Sequence, residues 1–391
     1  MSGRPAGLYP GATSSVALQR RKVSILLPLS GPLAPIGQDM LQAAELVLSE
    51  PGSPPFQPYD TNGTPAGAAS AASQAVAEGA GIILGPLTGG DTAAAAPIAR
   101  KAGVPMVAFT NDETEARPGV WVFGITPGQQ VRRLIAFLQS RGKTRIAALL
   151  PDSAFGSAMQ AAVQSAAGAA GDPSPTIQTY TPGMANLNEA VRILSDYANR
   201  RGPIEAQMKA ARELDNAAGR ARLAALNRLP IPPPPFDALV LAATGTTLEE
   251  IAALLPYYDI YPGAVQVVGP ILWQDPNARR GAALGEAWYA APDPSARQQF
   301  AAAYAAKYGA EPPFLADLSF DAAALARVLA QGPGYSTAAL TNPSGFSGAD
   351  GVLALRPDGQ VRRGLAVFVI GGGGQASVLD PAPTNLATPG T

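Results

Sequence analysis

The chain has 391 residues, of which 47% are hydrophobic and only 15% are charged, and its formal net charge is −1. This balance offers no basic surface for nucleic acid and no polybasic face for an anionic membrane. The chain contains no cysteine and no histidine, which excludes thiol nucleophiles, imidazole or thiolate metal sites and a Ser-His-Asp triad. A carboxylate or lysine enzyme stays open on composition, but no paired carboxylates stand at an obvious shared site, so acid–base catalysis has no positive support. We therefore expect neither an enzyme nor a metal or cofactor site. The length suits two domains.

The N-terminal segment, residues 1–21, is rich in Gly, Pro and Ser and is predicted to be disordered. It lacks the charged, apolar and small-residue order of a signal peptide. We interpret it as the start of a mature exported protein from which the signal, and any lipid anchor, has been removed. No apolar run in the chain is long enough to span a bilayer.

The first ordered unit is predicted at Val23–Gln38, VSILLPLSGPLAPIGQ. A short apolar run indicates a buried strand, the Pro/Gly-rich stretch that follows predicts a loop, and an alanine-rich helix then extends to about Leu48. Strand and helix patterns go on alternating, which is typical of a parallel α/β sheet with helices on both faces. Strands are predicted at 56–60, 81–84, 104–109 and 120–125, and again at 145–150, 176–180, 238–242 and 265–268.

The pattern restarts near Thr126, and the strand–loop–helix at 145–168 is similar to the one at 23–48. We therefore predict two similar α/β lobes. Residues 200–235 are helical in pattern and end in a proline run, and two interpretations remain open: a solvated helical insertion or a docking surface for a partner. Residues 351–355 and 364–370 predict a hairpin around Pro357-Asp358-Gly359. Residues 372–391 are predicted to form a flexible tail.

The loops that follow the predicted strands hold the candidate ligand contacts, because ligands of open α/β sheets bind outside the carboxyl ends of strands. In the first lobe these contacts are Ser30, then Leu87, Thr88 and Gly89 at the start of a helix, then Thr110, Asn111 and Asp112. A helix N-terminus favours an anion such as a carboxylate. The alternative for this helix start is that Asp91 or Thr92 is simply its N-cap. In the second lobe the candidates are Phe155, Thr244, Gly245 and Trp273.

Several segments together resemble the type I periplasmic binding proteins of the leucine-binding branch. They are LLPLSGPLAPIGQ with the helix AAELVL, GIILGPLTGGDTAAAAPIARKAGVPMVAFTND, RIAALLPDSAFG, FDALVLAATG and AAYAAKYGAEPPFLADLSFDAAAL. The resemblance implies two Rossmann-like lobes joined by three hinge crossovers that close on a small ligand. It places lobe 1 at residues 22–125 plus 292–335, and lobe 2 at residues 126–291 plus 336–371.

The resemblance also implies roles for the candidate residues. Leu87, Thr88, Gly89 and residues 110–112 would hold a ligand carboxylate, and Phe155 is the aromatic of the second lobe. Amino-acid receptors of this branch bind the ammonium group through an acidic residue near Gly269-Pro270, where this chain has Ile271-Leu272-Trp273. The implied function is that of a periplasmic solute-binding protein for an amino acid or related carboxylate, as the receptor of an ABC importer.

A second resemblance is to outer-membrane lipoproteins that activate penicillin-binding proteins. It rests on ILLPLSGP, on GPL at residues 85–87 and on the run DALVLAA…LLPYYDIYPG…VVGPILW…GEAWYAAPDP. Such a protein would use the same fold to contact a peptidoglycan synthase and would not take part in transport. Either function makes the partner a small molecule or a protein, and neither involves nucleic acid.

Overall fold

A computed structural model describes residues 21–181, 183 and 186–386 of the chain. The disorder predicted for residues 1–20 and for the last five residues lies outside this described part. The described residues form two compact units. The first comprises residues up to Thr126, Pro292–Gly364 and a short segment from Pro383, and the second comprises Pro127–Ala291 and Leu365–Ala382.

The N-terminal part of the first unit is a parallel sheet of five strands in the order β2-β1-β3-β4-β5. The strands are β1 (Val23–Leu27), β2 (Phe56–Asp60), β3 (Ile82–Leu84), β4 (Met106–Ala108) and β5 (Val120–Val122). The helices between them are α1 (Ala34–Leu48), α2 (Pro65–Ala77) and α3 (Gly89–Lys101), and a 3-10 turn covers Glu113–Glu115.

The second unit repeats this order, β7-β6-β8-β9-β10, with all five strands parallel. The strands are β6 (Ile146–Pro151), β7 (Thr176–Tyr180), β8 (Ala238–Leu241), β9 (Gln266–Gly269) and β10 (Trp288–Ala291). The helices are α4 (Pro127–Ser140), α5 (Ala154–Ala170), α6 (Leu187–Leu194), α7 (Tyr197–Glu213), α8 (Ala217–Leu226) and α9 (Gly245–Leu254). Three 3-10 turns cover Leu255–Tyr258, Ile271–Gln274 and Pro276–Arg279.

The C-terminal third of the chain contributes to both units. The first unit receives α10 (Pro294–Tyr308), α11 (Phe314–Gln331), α12 (Thr337–Leu340) and an antiparallel sheet of β11 (Phe346–Gly348), β12 (Gly351–Leu355) and β13 (Val361–Arg363). The second unit receives β14 (Ala366–Ile370) and β15 (Ala376–Asp380), which extend its sheet antiparallel beyond β10.

Strand β1 shows why the first sheet needs helices on both faces. All five of its residues are buried, and successive side chains of a strand point to opposite faces. Val23, Ile25 and Leu27 pack with α1 and α11, whereas Leu26 packs with α2 and α3. Burial on both faces is typical of a central parallel strand, and it includes the one polar residue of β1, Ser24.

The domain boundary predicted at residue 335 is wrong, because residues 336–364 belong to the first unit. The turn between β12 and β13 is bound to β5. The carbonyl of Gly359 accepts a hydrogen bond from the Val122 amide at 3.0 Å, and Trp121 Nε1 donates to the carbonyl of Arg356 at 2.7 Å. These contacts join residues more than 200 positions apart, which sequence patterns do not reveal.

Two further expectations at the C-terminal end need correction. The predicted hairpin exists, but β12 pairs with β13, whereas residues 366–370 form β14 in the sheet of the second unit. The predicted flexible tail contains β15, which pairs with β14. Residues 371–374, which separate these two strands, form a hydrogen-bonded turn. Strand β10 was not predicted, although it is as long as β8 and β9, which were.

Candidate functional site

Each unit brings its candidate residues to adjacent strand ends. In a sheet of order 2-1-3-4-5, the second strand lies on one side of the first strand and the third strand lies on its other side. The strand order therefore reverses between the first and third strands, which flank a topological switch point. In the first unit that point lies between β1 and β3, and in the second unit it lies between β6 and β8. The predicted contacts at 30 and 87–89, and those at 155 and 244–245, follow these strands.

The loop after β1 is ordered by Asp60, which the sequence analysis did not select. Its Oδ1 accepts hydrogen bonds from the backbone amides of Leu29, Ser30 and Asn62 at 2.9, 3.2 and 2.8 Å. Burial alone would raise the pKa of Asp60, but these amides and the Ser30 side chain lower it below its usual value. The signal available in the sequence was Asp-x-Asn-Gly at residues 60–63, a turn-forming pattern.

Ser30 is exposed, and its hydroxyl donates to Asn62 Oδ1 at 2.6 Å. Asn62 has a φ of +52° and Gly31 a φ of +76°, both in the left-handed region that short polar residues and glycine tolerate. Ser30 therefore lies on a firm turn at the edge of the first switch point.

The loop after β3 ends at Thr88, which is the N-cap of α3. Thr88 Oγ1 accepts from the amide of Asp91 at 3.2 Å, and its carbonyl accepts from the Thr92 hydroxyl at 2.8 Å. The cap is thus Thr88 and neither Asp91 nor Thr92, which corrects the alternative considered for this helix start. A hydroxyl that accepts a capping bond keeps its own proton for another acceptor. Leu87 is half-buried against the core beside it.

The first turn of α3 already has one carboxylate beside it. A Cβ placed on Gly89 would lie 3.0 Å from Asp112 Oδ2, so the Asp112 side chain occupies space directly against this helix start. Asp112 Oδ1 accepts from the amide and the hydroxyl of Thr114 at 3.0 and 2.6 Å. Asp91 lies within the same turn and is buried, which raises its pKa, although the Thr88 side chain partly offsets that shift.

The loop after β4 completes the first-unit cluster. Thr110 is buried, and its Oγ1 accepts from the amide of Asp112 at 3.0 Å, whereas Asn111 and Asp112 are exposed. The structure thus brings Thr88, Gly89 and Asp112 together across two neighbouring strand ends. The cluster combines hydroxyl and amide donors with one carboxylate acceptor, so it can bind a group that both donates and accepts hydrogen bonds.

The second unit holds Phe155 at the start of α5. The N-cap of this helix is Ser153, whose Oγ accepts from the Gly156 amide at 3.2 Å, and Phe155 is half-buried in its first turn. A Cβ on Gly156 would lie 1.7 Å from the carbonyl oxygen of Pro151. Only glycine allows the helix to approach the end of β6 this closely, and that approach fixes the position of Phe155.

The loop after β8 is locked by two buried side chains. Tyr180 Oη donates to the carbonyl of Ala242 at 3.0 Å, and Trp273 Nε1 donates to the carbonyl of Ala243 at 2.9 Å. Burial raises the pKa of Tyr180 to about 12. Thr244 then precedes α9 without using its side chain as a cap, so its hydroxyl is not committed to the helix. Gly245 has a φ of +59°.

Trp273 is a core residue, and its predicted ligand contact is wrong. Its side chain is fully buried, and its ring occupies the space where a Cβ on Gly269 would lie, at 2.4 Å. Because the indole is enclosed and its N–H is satisfied within the unit, no face of the ring is left for a ligand. Sequence alone could not separate a core tryptophan from a stacking one at a strand end.

The described residues contain no group of three or more acidic side chains placed to hold a metal ion. None of their helices has the combination of length and apolar character that a membrane crossing requires.

Comparison with known proteins agrees with this architecture. Residues 21–199 match the family model described as periplasmic binding protein. No curated protein sequence matches the chain significantly. Among solved structures, a protein from Rhodospirillum rubrum described as a branched-chain amino acid ABC transporter is 18% identical, with a TM-score of 0.69, over 92% of this chain and 99% of that one.

Two other solved structures represent the two resemblances. An ABC transporter substrate-binding protein from Desulfitobacterium hafniense, in complex with Leu, is 17% identical, with a TM-score of 0.62, over 92% of this chain and 99% of that one. Full-length LpoA from Haemophilus influenzae is 16% identical, with a TM-score of 0.64. The match to LpoA covers 92% of this chain but 59% of that one.

The resemblance to type I periplasmic binding proteins of the leucine-binding branch is thereby confirmed, and the chain has the fold of that family.

Proposed function

We propose that this chain is an extracytoplasmic solute-binding protein that binds a small polar ligand, an amino acid or related carboxylate, as the receptor of an ABC importer. The observation that carries the proposal is the cluster at the ends of β3 and β4. There the Thr88 hydroxyl caps the α3 N-terminus, and the Asp112 carboxylate lies beside Gly89 in the first turn of that helix. Such a set recognises a ligand by hydrogen bonds and contains no reactive nucleophile.

The roles follow from the chemistry of each group. The α3 amides and Thr88 donate to a ligand oxygen, since free N–H groups and the helix dipole favour negative charge there. Asp112 accepts hydrogen bonds from an ammonium or hydroxyl group of the ligand. Residues 271–273 cannot bind an ammonium group in this way, because they contain no acidic side chain. The equivalent strand ends of the second unit offer the Thr244 hydroxyl and the apolar face of Phe155. Ser30, Leu87, Gly89, Thr110, Asn111 and Gly245 shape the same loops.

A thermal-shift screen tests the proposal with amino acids, aromatic and aliphatic carboxylates and peptidoglycan fragments. A ligand at one hundred times its dissociation constant stabilises the folded state by about 2.7 kcal/mol. Amino acids and carboxylates are included because the Desulfitobacterium protein was solved with Leu and a Rhodopseudomonas palustris solute-binding protein with benzoate. A screen without a single stabilising compound contradicts the receptor function.

A pair of N-cap variants separates ligand binding from stability. Thr88→Val and Thr64→Val each remove a threonine N-cap from a helix of the first unit, since Thr64 Oγ1 accepts from the Gly67 amide at 3.1 Å. Both should lose similar stability. Only Thr88→Val should also weaken the response to the ligand found in the screen, and an equal response in both variants would show that Thr88 is no ligand contact.

A second candidate function is the activation of a penicillin-binding protein at the cell envelope. Two observations favour it: Asp112 places a negative charge where a ligand carboxylate would bind, and the fold is shared with LpoA. This function predicts a silent ligand screen together with direct binding to a purified peptidoglycan synthase in surface plasmon resonance. If the chain binds a small ligand and does not bind the synthase, the receptor function is supported and the activator function is contradicted.

A further inference from the structure

Helices α7 and α8 have no counterpart in the first unit. The two sheets share one strand order, so the β2–β3 and β7–β8 connections are topologically equivalent. The first connection contains only α2, whereas the second contains α6, α7 and α8. Helix α6 supplies the core contacts that α2 supplies in the first unit, through Leu187, Ala190, Val191 and Leu194. The α7–α8 hairpin is therefore additional to what the sheet needs.

The hairpin is nevertheless held rigidly at its base. The buried Arg200 donates to the carbonyl of Ser195 at 2.6 Å, to that of Tyr258 at 2.9 Å and to Asp259 Oδ2 at 2.9 Å. Arg201 Nη2 donates to Asp259 Oδ1 at 2.6 Å. Burial alone would raise the pKa of Asp259, but the two guanidinium groups hold it below its usual value. These bonds fix α7 to the second unit.

The turn between the two helices is equally well determined. Asn216 is the N-cap of α8, with its Oδ1 accepting from the Gly219 amide at 2.9 Å. A Cβ on Gly219 would lie 2.5 Å from the carbonyl oxygen of Ala211, so glycine permits the close crossing of α8 over α7. A hairpin fixed at both ends presents a preformed surface, which lowers the entropic cost of binding.

A groove of about 400 Å³ runs along this hairpin. Its apolar lining is Ile204, Met208, Leu226, Leu229 and Ile231, and its charged lining is Arg201, Glu205 and Arg212. Leu229 is 49% exposed and Ile231 37% exposed. Large apolar side chains exposed along a rigid groove are typical of a protein interaction site.

The charge of the hairpin indicates the partner. Residues 197–231 contain seven Lys or Arg and three Asp or Glu, a net charge of +4 within a chain whose total is −1. Arg200 and Arg201 are paired with Asp259. The other five cations, Lys209, Arg212, Arg220, Arg222 and Arg228, are all exposed. The three acids, Glu205, Glu213 and Asp215, are exposed as well, so these exposed side chains carry a charge of +2. An apolar groove on a surface with this excess of cations is complementary to an amphipathic helix with acidic flanks.

We propose that the α7–α8 hairpin is a docking site for an acidic amphipathic helix of a partner protein, with its apolar residues in the groove and its carboxylates on the surrounding Arg and Lys side chains. The proposal does not depend on whether the strand-end loops bind a solute. An anionic lipid surface is the competing occupant, and it is less well matched because the apolar residues line a groove between helices.

Fluorescence anisotropy of the full chain with a labelled synthetic peptide tests this proposal. The probe has about 18 residues, near the length of α7, with leucines at i, i+4 and i+7 and glutamates elsewhere. Saturable binding that weakens with added salt is expected. Met208→Asp, Leu229→Asp and Arg212→Glu should each weaken it by about tenfold or more. The three are independent, so one misfolded variant leaves two tests.

The controls match these substitutions elsewhere on the surface. Lys101→Glu reverses an exposed charge in the first unit, and Val328→Asp replaces a valine that is 60% exposed there, so both should bind the peptide normally. Three results would overturn the proposal: no binding of the peptide, equal binding of a scrambled or lysine-substituted peptide, or equal losses in the controls. Binding of phosphatidylglycerol vesicles with the same variant sensitivity would also overturn it, in favour of a lipid surface. Solute-induced thermal shifts should be unaffected by all five variants.

Discussion

The two units share one strand order and differ in where they bury carboxylates, since the buried acidic residues of the described chain all lie in the first unit. In the first unit the C-terminal elements enclose Asp317, Asp321 and Asp350 with Arg363, all of them buried. In the second unit the comparable network, Asp259 with Arg200 and Arg201, lies partly exposed at the base of the added hairpin. A fully buried network is costly to desolvate and strongly destabilising to break, and the solvent access of Arg201 reduces both effects in the second unit.

The buried network joins separate elements of the first unit. Asp321 accepts from the amides of Ala349 and Asp350 at 2.6 and 3.0 Å. Arg363 Nη1 lies 3.2 Å from Asp350 Oδ2, and its Nη2 donates to the carbonyl of Phe123. The C-terminal segment is thus attached to α11 and to the end of β5 through charges, which explains why residues 336–364 belong to this unit.

The largest expected effect is that of Arg363→Leu. Removal of the guanidinium leaves Asp350 without its ion-pair partner beside the buried Asp321, and breaking a buried pair costs about 3–5 kcal/mol. Chemical denaturation should show this loss, and hydrogen exchange should place it in the first unit. The matched control Arg356→Leu removes a pair whose partners are about half exposed and should cost under about 1 kcal/mol. Equal losses of stability in the two variants would contradict the expected difference between a buried and an exposed ion pair.

The glycine near the start of the helix that follows the first strand should be equally important in both units. A Cβ on Gly37 would lie 2.0 Å from the carbonyl oxygen of Pro28, and one on Gly156 would lie 1.7 Å from that of Pro151. Gly37→Ala and Gly156→Ala should each cost about 1–3 kcal/mol in denaturation experiments. Gly168→Ala, in α5 with nothing within 4 Å, should be neutral or stabilising by about 0.5–1 kcal/mol. A small loss of stability in only one of the variants Gly37→Ala and Gly156→Ala would show that the two glycines are not equivalent.

The pH dependence of stability should distinguish the units. Burial raises the pKa of Asp317 to about 7, opposed by Arg297, and burial with the adjacent Asp350 charge raises that of Asp321 to about 7. Folded-state pKa values above the unfolded ones add stability that is complete below about pH 4 and is lost as the pH rises through about 7.

The first unit should therefore lose about 1.4 kcal/mol per pH unit for each such proton across this range. Denaturation series between pH 4 and 8 measure the slope, with hydrogen exchange assigning it to a unit. Asp317→Asn, which cannot ionise, should reduce the slope. A stability that stays constant or rises with pH would show that the cluster holds no such proton.

The smallest effects are expected at the helix caps. Ser153→Ala in the second unit and Thr88→Val in the first each remove an N-cap bond, at about 1 kcal/mol. Thermal denaturation should give nearly equal losses, since both caps are half-exposed or exposed. A much larger loss for Thr88 would mean that its hydroxyl also supports the buried Asp91.

Local patterns in the sequence were sufficient for the central layers. The runs that became β1, β6 and β8 are apolar apart from Ser24, because both faces of each strand are covered. The turn residues after these runs predicted the loops. The candidate contacts Thr88 and Asp112 were selected for the same reason, since parallel strands bring their carboxyl ends to one edge. Asp60 could have been found from its turn pattern.

What only the tertiary structure decided involves residues far apart in the chain. Trp273 is a core side chain because its ring packs on Gly269 and its N–H meets Ala243. Residues 336–364 lie in the first unit because the amides of Ala349 and Asp350 bind Asp321 of α11, and Arg363 donates to the carbonyl of Phe123 at the end of β5. Periodicity and propensity act over a few residues, so the sequence by itself determined the alternation of strands and helices and the loops at their ends. Contacts between side chains far apart in the chain depend on packing in three dimensions. These contacts complete the core and decide to which unit each C-terminal element belongs.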